Sequence, residues 1–437
     1  MPADGLSALL DVAQQALVRV AADEGFNDPQ FEVESGSGAR DGFTSTLSRI
    51  IVREKDGSKE LSLICKTSLD AFGGLMSWLF TTECYMYSTV LPALEDVATL
   101  EEPLPWPKCY HAFSDGDKPP YCMVLGDLRP DGFATCPRRD ALDAAQCKQV
   151  LRQIGRFHGA GLALKHLRPE AFQSMRQWRH IAGNTYDTPE MRTLMAPFQA
   201  AIAKCKISEQ LAERFPSGDT LAALDKIFSM YAEDLLSVMC PGAEEGSTII
   251  HSDCHTMNVL FQYSGDSVTG CRLIDFQTAR YGCPALDLST MIVATTERAT
   301  REKHWTDLMQ GYHQQLQDTL RAAGVKEPDD VYSWQLFQAN LRSAAPYSLV
   351  CATISLSIFY GDKRDEHLDR VKEAIEDMNK TDKEVPEVSI SLSAAGLQRL
   401  GDLIEDLVSY GLMPSVADVE AAANRCAQFR KRQSQKQ

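Results

Sequence analysis

No CxxC pair occurs among the 13 cysteines, whose odd number is scattered along 437 residues. That excludes the disulfide framework that staples short secreted chains and points to reduced, mostly buried thiols. An uninterrupted apolar run of about 18 residues is also missing, so no membrane-spanning helix is expected. Met1–Val20 carries acids and lacks the apolar core of a signal peptide, and a cytoplasmic location is expected. Basic residues are in deficit: 44 Lys and Arg stand against 60 Asp and Glu, a net charge of −16. The basic footprint that nucleic acid requires is absent, and no nucleic-acid partner is expected. There is no internal repeat and no low-complexity tract.

What is present is a globular composition, 44% hydrophobic and 24% charged. Such a chain can bury a sizeable core and is long enough for two or three lobes. Leu9, Leu10, Ala13 and Leu17 share one face of a helix over Leu6–Glu24. Leu47–Arg53 and Leu61–Thr67 read as strands around an Asp56-Gly57 turn. A helix follows over about Gly74–Leu94, stopped near Pro92. Cys109–Phe113 and Tyr121–Leu125 read as two further strands. From Asp140 the pattern turns helical, over Asp140–Leu167, Glu190–Cys205 and Leu221–Met239. One β island interrupts it, with Thr248–Ile250, Val259–Gln262 and Cys271–Asp275, the last two joined by a turn at Ser264–Gly270. The layout predicts an α+β chain. Its small sheet-plus-helix lobe would occupy residues 1–127 and its larger, mainly helical lobe residues 128–437.

The chemistry concentrates in Ile249–Asp287. His251-x-Asp253 is followed by four residues and Asn258, and farther on by Ile274-Asp275-Phe276. A hairpin between Asn258 and Asp275 brings its two ends to one edge. An amide and a carboxylate meeting there make a hard-oxygen site suited to Mg²⁺. Asp253, on the preceding loop, is placed to accept a proton from an attacking hydroxyl. This is the spacing of a phosphoryl-transfer loop, H-x-D-x4-N followed by D-F. A zinc cluster of His251, Cys254 and His255 is the rival reading, and no second Cys/His pair supports it.

A phosphate-binding lysine is then required upstream. Lys66 interrupts an apolar strand, LSLICKT, where a charge is unexpected. On the next helix Leu75, Leu79, Glu83, Tyr87 and Val90 share a stripe, which puts Glu83 on the apolar side. A carboxylate there is costly unless paired, and Lys66 is its natural partner. SGSGARDGFTS, at Ser35–Ser45, offers Ser37, Gly38 and Gly42 for close backbone approach to phosphates, or else an ordinary hairpin turn. Backbone groups around Met123, Val124, Leu125 and Gly126 are the expected adenine contacts, or else a plain linker between lobes. His158, in a helix between apolar residues, reads as structural rather than catalytic.

These residues resemble the ecdysteroid kinase-like group, also called CHK kinase-like. It stands with choline kinases and aminoglycoside phosphotransferases in the protein-kinase-like superfamily. The resemblance runs from about Phe31 to Tyr360. It is carried by Cys65–Thr67, Thr81–Leu94, Val124–Phe133 and Gly155–Leu164, and most of all by HSDCHTMNVLF with LIDFQTARYGCPALDL. It implies a two-lobed kinase fold and ATP-dependent phosphorylation of a hydroxyl on a small molecule, with ATP and Mg²⁺ as cofactors. By position Asp253 would be the base, Asn258 and Asp275 the metal ligands, and Lys66 with Glu83 the phosphate clamp. Asp287 would brace the catalytic loop. Gly126-Asp127-Leu128 stands where the group has Glu-Asp-Leu, and Gly42 where it has Asn.

The resemblance favours a polyhydroxylated steroid or another apolar alcohol as acceptor. A cationic alcohol such as choline or an aminoglycoside is the rival substrate, and a non-catalytic small-molecule-binding protein the rival class. Most of Val331–Tyr360, with Trp334, Phe337, Tyr347, Ile354 and Phe359, reads as helical core, and part of it is expected to face the cleft as an apolar acceptor wall, with Phe337 as the trial member.

Overall fold

The computed structural model describes residues 6–35, 46–68, 77–116, 118–136, 141–182, 189–216, 218–233, 245–293, 295–360 and 391–434. The first part is a five-stranded antiparallel sheet of β1 (Pro29–Ser35), β2 (Thr46–Glu54), β3 (Glu60–Ser68), β4 (Cys109–Asp115) and β5 (Lys118–Gly126). Its spatial order is β1-β2-β3-β5-β4. The β2–β3 turn takes Gly57 to φ 76°, and the Asp56 carboxylate accepts the Ser58 N–H at 2.9 Å.

Side chains alternate between the two faces of a strand. On one face Ile50, Val52, Leu63, Cys65, Cys122 and Val124 pack under the Asp11–Asp23 helix, against Ala13, Leu17 and Val20. Lys66 follows Cys65 and so points the other way. It lies opposite Met123 in the β3–β5 ladder, on the face where Tyr121, Met123 and Leu125 join the main core.

That second face carries the Glu83 helix, which does not stop at Pro92. It begins as an α-helix over Ser77–Tyr85, widens to a π-type turn over Met86–Val90 and continues as Leu91–Ala98. Proline lacks an N–H and crowds the carbonyl four residues back, and the wide turn just before it accommodates both defects.

Beyond Gly126 come β6 (Phe133–Thr135) and the Ala144–Leu167 helix. Asp143 caps this helix reciprocally with Gln146, at 2.8 and 2.9 Å. It packs along the Arg298–Ala322 helix at very short range. A Cβ at Gly159 would stand 2.7 Å from the Thr319 Cβ and 2.9 Å from the Leu316 carbonyl oxygen, so only glycine fits.

The β island consists of β7 (Thr248–Ile250), β8 (Val259–Ser264), β9 (Ser267–Leu273) and β10 (Arg280–Gly282). β8 lies between β6 and β9, and β7 pairs with β10. The β8–β9 turn is tighter than expected. It occupies only Gly265-Asp266, because Gly265 takes a left-handed φ of 59°. Further helices include Pro189–Cys205, Gly218–Glu233, Trp334–Tyr360, Ala394–Ser409 and Val416–Ser434. The molecule is therefore a small antiparallel sheet region followed by a larger helical region, an α+β fold. Among the described residues no helix is long and apolar enough to cross a membrane.

Candidate active site

Lys66 reaches from β3 to two carboxylates at once. Its Nζ donates to Glu83 Oε2 at 2.6 Å and to Asp275 Oδ1 at 2.8 Å. Lys66 and Glu83 are buried, while Asp275 keeps a quarter of its side chain exposed. The three come from a strand, a helix and the loop after β9, so one cation joins the sheet region to the helical region. Burial works against the Lys66 ammonium, but Asp275 and Glu83 together overcome it and hold its pKa above the usual lysine range. Glu83 shares that single cation with Asp275. Burial pushes its carboxyl up to about 7 in spite of Lys66.

An aromatic column backs the cluster. Tyr87, one helical turn after Glu83, meets Phe276 edge-on at 5.8 Å, and Phe276 meets His251 at 4.6 Å. Phe276 is fully buried and also touches Trp106 and Phe157. The helix of Glu83, the residue after Asp275 and His251 thus pack as one unit.

The loop itself is held by Asp287. Its two oxygens accept the backbone N–H groups of His251 and Ser252, both at 2.7 Å. His158 Nε2 lies 3.1 Å from the same carboxylate, and its Nδ1 lies 2.8 Å from the Tyr312 hydroxyl. The carboxylate requires a donor at Nε2, which leaves Nδ1 to accept from Tyr312. Burial raises the Asp287 pKa, yet His158, His251 and the loop amides outweigh it and the net direction is down. Fully buried and doubly hydrogen-bonded, His158 sits in the structural position its sequence context predicts.

Asp253 leaves this loop with a third of its side chain exposed. Asn258 Nδ2 donates to its carbonyl oxygen at 2.9 Å and to its Oδ2 at 3.1 Å, and His255 Nε2 stands 3.4 Å from Oδ1. Burial raises the Asp253 pKa, but His255, His251 and Asn258 outweigh it, keeping the carboxylate ionised and able to accept a proton. His255 is raised in turn, against burial, by Asp253.

The hairpin brings its two ends to one edge, where the Ile274 N–H donates to the Asn258 carbonyl at 3.0 Å. With its amide N–H on Asp253, Asn258 has its amide oxygen as the available donor atom. An amide oxygen and a carboxylate such as that of Asp275 are hard donors of the kind Mg²⁺ takes. The rival zinc set does not converge: His251 Nε2 is spent on the Ile274 carbonyl at 2.9 Å and His255 on Asp253. Among the described residues no group of three His, Cys, Asp or Glu side chains is arranged to hold a metal.

Ser37, Gly38 and Gly42 lie outside the described residues. Met123, Val124 and Leu125 lie in β5 between β3 and β4, with their backbone engaged in those two ladders, and the Gly126 N–H donates to the Lys108 carbonyl at 2.8 Å. The chain leaves the sheet only at Asp127. Phe337 is fully buried among Tyr312, His313, Tyr332 and Trp334, so it is core and does not face a cleft. The side chain of Phe359 lies outside the described residues. On the same helix Cys351 and Ile354 are half-buried, and Cys351 lies within electrostatic reach of Asp253.

Three residues escaped the sequence reading. Asp127 is buried and accepts from Arg49 Nε at 2.9 Å, Ser62 Oγ at 2.8 Å and Arg129 Nε at 2.9 Å, pinning the strand exit. Ser252 adopts φ 68°, at a cost of roughly 1–2 kcal/mol for a residue with a Cβ, and accepts from Arg280 Nε at 2.8 Å. The Asp127-Leu128 step carried a signal for the first. Nothing local marks Ser252 or Arg280.

No curated protein matches the chain. Among solved structures, a candidate aminoglycoside phosphotransferase from Ralstonia eutropha is similar at 12% identity and a TM-score of 0.37, over 84% of this chain and 99% of that one. The GDP complex of aminoglycoside 2′-phosphotransferase-IIIa is similar at 13% identity and a TM-score of 0.35, over 84% and 99%. The model of the ecdysteroid kinase-like family matches residues 39–325, well over half of the chain, and that span contains Lys66, Glu83, Asp253, Asn258, Asp275 and Asp287. The chain belongs to the ecdysteroid kinase-like family, a family of kinase-like small-molecule phosphotransferases.

Proposed function

We propose that this protein transfers the γ-phosphoryl group of ATP to a hydroxyl of an apolar alcohol, an ecdysteroid or a related steroid. The observation that carries the reading is the Lys66 ammonium shared between Glu83 and Asp275, the residue at the far end of the hairpin that starts from the paired Asp253 and Asn258. A cation held by two carboxylates is primed to exchange one of them for phosphate oxygens. Lys66 grips the phosphates and Glu83 fixes its direction. Asn258 and Asp275 hold Mg²⁺, which would neutralise charge on the phosphate oxygens. Asp253 orients the acceptor hydroxyl and takes its proton.

The nucleotide is read by the lobe of residues 1–127, with Ser37, Gly38 and Gly42 over the phosphates. The base lies along the end of β5, around Met123, Val124, Leu125 and Gly126. The lobe of residues 128–437 supplies the acceptor side, in the cytoplasm. Cys351, within electrostatic reach of Asp253, takes the place of Phe337 as a candidate part of the acceptor wall.

The test is mass spectrometry of ecdysteroids, sterols, choline and kanamycin incubated with the chain, ATP and Mg²⁺. An added phosphate on ecdysteroids or sterols is expected. Phosphorylation of choline or kanamycin alone would overturn the apolar acceptor and leave the kinase, and no phosphorylation of any acceptor would overturn both.

A further inference from the structure

The loop bearing Asp253 is fastened to the segment that begins at Ile274 in four ways. His251 Nε2 donates to the Ile274 carbonyl at 2.9 Å, and Thr278 Oγ1 donates to the His251 carbonyl at 3.2 Å. β7 pairs with β10, Arg280 lying opposite Ile250. The fourth link, Arg280 Nε to Ser252 Oγ at 2.8 Å, joins two side chains and is buried at both ends.

Ser252 makes that link from an unfavourable backbone conformation. At φ 68° its Cβ crowds the neighbouring carbonyl, a position glycine would occupy without strain. The hydroxyl is what serine has and glycine lacks, and Arg280 uses it. The N–H of the same residue is fixed by Asp287 at 2.7 Å, so Ser252 is held from two directions immediately before Asp253.

We infer that Ser252 is a positioning residue for phosphoryl transfer: its hydroxyl, gripped by Arg280, aims the Asp253 carboxylate and sets it relative to Asp275. The inference rests on the proposed role of Asp253 as base. It assigns the strain at Ser252 a purpose, since misplacing a reacting group by about 1 Å costs on the order of 10²-fold in rate.

Three variants of the full chain test it. Ser252→Ala keeps the strained backbone and loses the hydroxyl, Ser252→Gly loses both, and Arg280→Met removes the donor. Each is assayed for transfer from Mg·ATP to 20-hydroxyecdysone and for amide hydrogen exchange over residues 251–258. All three are expected to lower kcat by about tenfold or more and to leave the KM for ATP within about twofold. The Ser252→Ala/Arg280→Met double variant should be no worse than Arg280→Met alone, because both remove one interaction. Exchange at the loop should accelerate in both serine variants. A merely structural serine would give a Ser252→Gly protein of higher thermal stability and unchanged kcat, which overturns the inference. If the wild-type chain phosphorylates no acceptor, the proposed function fails, and exchange still decides. Acceleration in both serine variants then supports the positioning role, and unchanged exchange overturns it.

Discussion

Glu83 and Glu405 are both glutamates held by basic side chains, yet they are displaced in opposite directions. Glu83 is buried and shares one ammonium with Asp275, and burial pushes its carboxyl up to about 7. Glu405 sits at the edge of the C-terminal helices with two guanidinium groups, Arg214 at 2.8 Å and Arg298, which pull it down to about 2. Arg301 and Asp406 complete that second cluster as a buried pair at 2.7 Å. The number of cations per carboxylate and access to water separate the two regions. Around Lys66 there are more carboxylates than cations, since one ammonium serves both Glu83 and Asp275. Around Glu405 the charges are matched across helices, and the cluster fastens Arg298–Ala322 to Ala394–Ser409.

Replacing a member of each cluster should therefore damage different properties. Lys66→Met removes the proposed phosphate grip and is expected to lower phosphoryl transfer by about 10²–10³-fold, as loss of an electrostatic donor does elsewhere. Steady-state kinetics with Mg·ATP would read it, and a loss under about fivefold would break the assignment of this cluster. Arg301→Met leaves the buried Asp406 carboxylate only Arg298, at 3.6 Å, and should cost up to about 3 kcal/mol of stability in denaturant unfolding, with nucleotide affinity unchanged. If affinity fell and stability did not, the two regions would have exchanged roles.

The pH dependences should carry opposite signs. A carboxyl whose pKa is raised on folding contributes stability fully below its ordinary range and loses it as pH rises through the folded value. Glu83 should thus weaken the nucleotide-free protein between about pH 5 and 7, and Glu83→Gln should flatten that part of the Tm profile. Glu405, depressed on folding, contributes above its ordinary range and loses its effect as pH falls through about 2. Glu405→Gln should remove only a small acid-side slope, because a third of its side chain is exposed and solvent screens the pair. An acid-side slope that survives in Glu405→Gln would assign it to another carboxylate.

The same comparison explains what could be read from the sequence. Lys66 and Glu83 were legible because a charge in an apolar strand and a carboxylate on an apolar stripe each demand a partner, and neighbouring elements supply one. Asn258 and Asp275 were legible because a hairpin fixes where its ends lie. The cluster of Arg214, Arg298, Arg301, Glu405 and Asp406 was not, since its partners are far apart in the chain and any one of them suits a solvated helix face. Phe337 misled because helical spacing defines a face without saying what that face meets. Pro92 misled because a wide turn one step earlier lets the helix continue. Ser252 and Arg280 depend on the pairing of β7 with β10 and on a left-handed serine, neither of which has a local signature.

The central claim is a division of labour between Asp253, which handles the acceptor, and Asp275, which handles the metal nucleotide. Its most direct test is Mg·ATP binding by calorimetry alongside acceptor phosphorylation, in Asp253→Asn and Asp275→Asn. Asp253→Asn should bind Mg·ATP within about twofold of the wild type and lose transfer by about 10²–10⁴-fold, while Asp275→Asn should lose binding as well. Full phosphoryl transfer by Asp253→Asn would contradict the account.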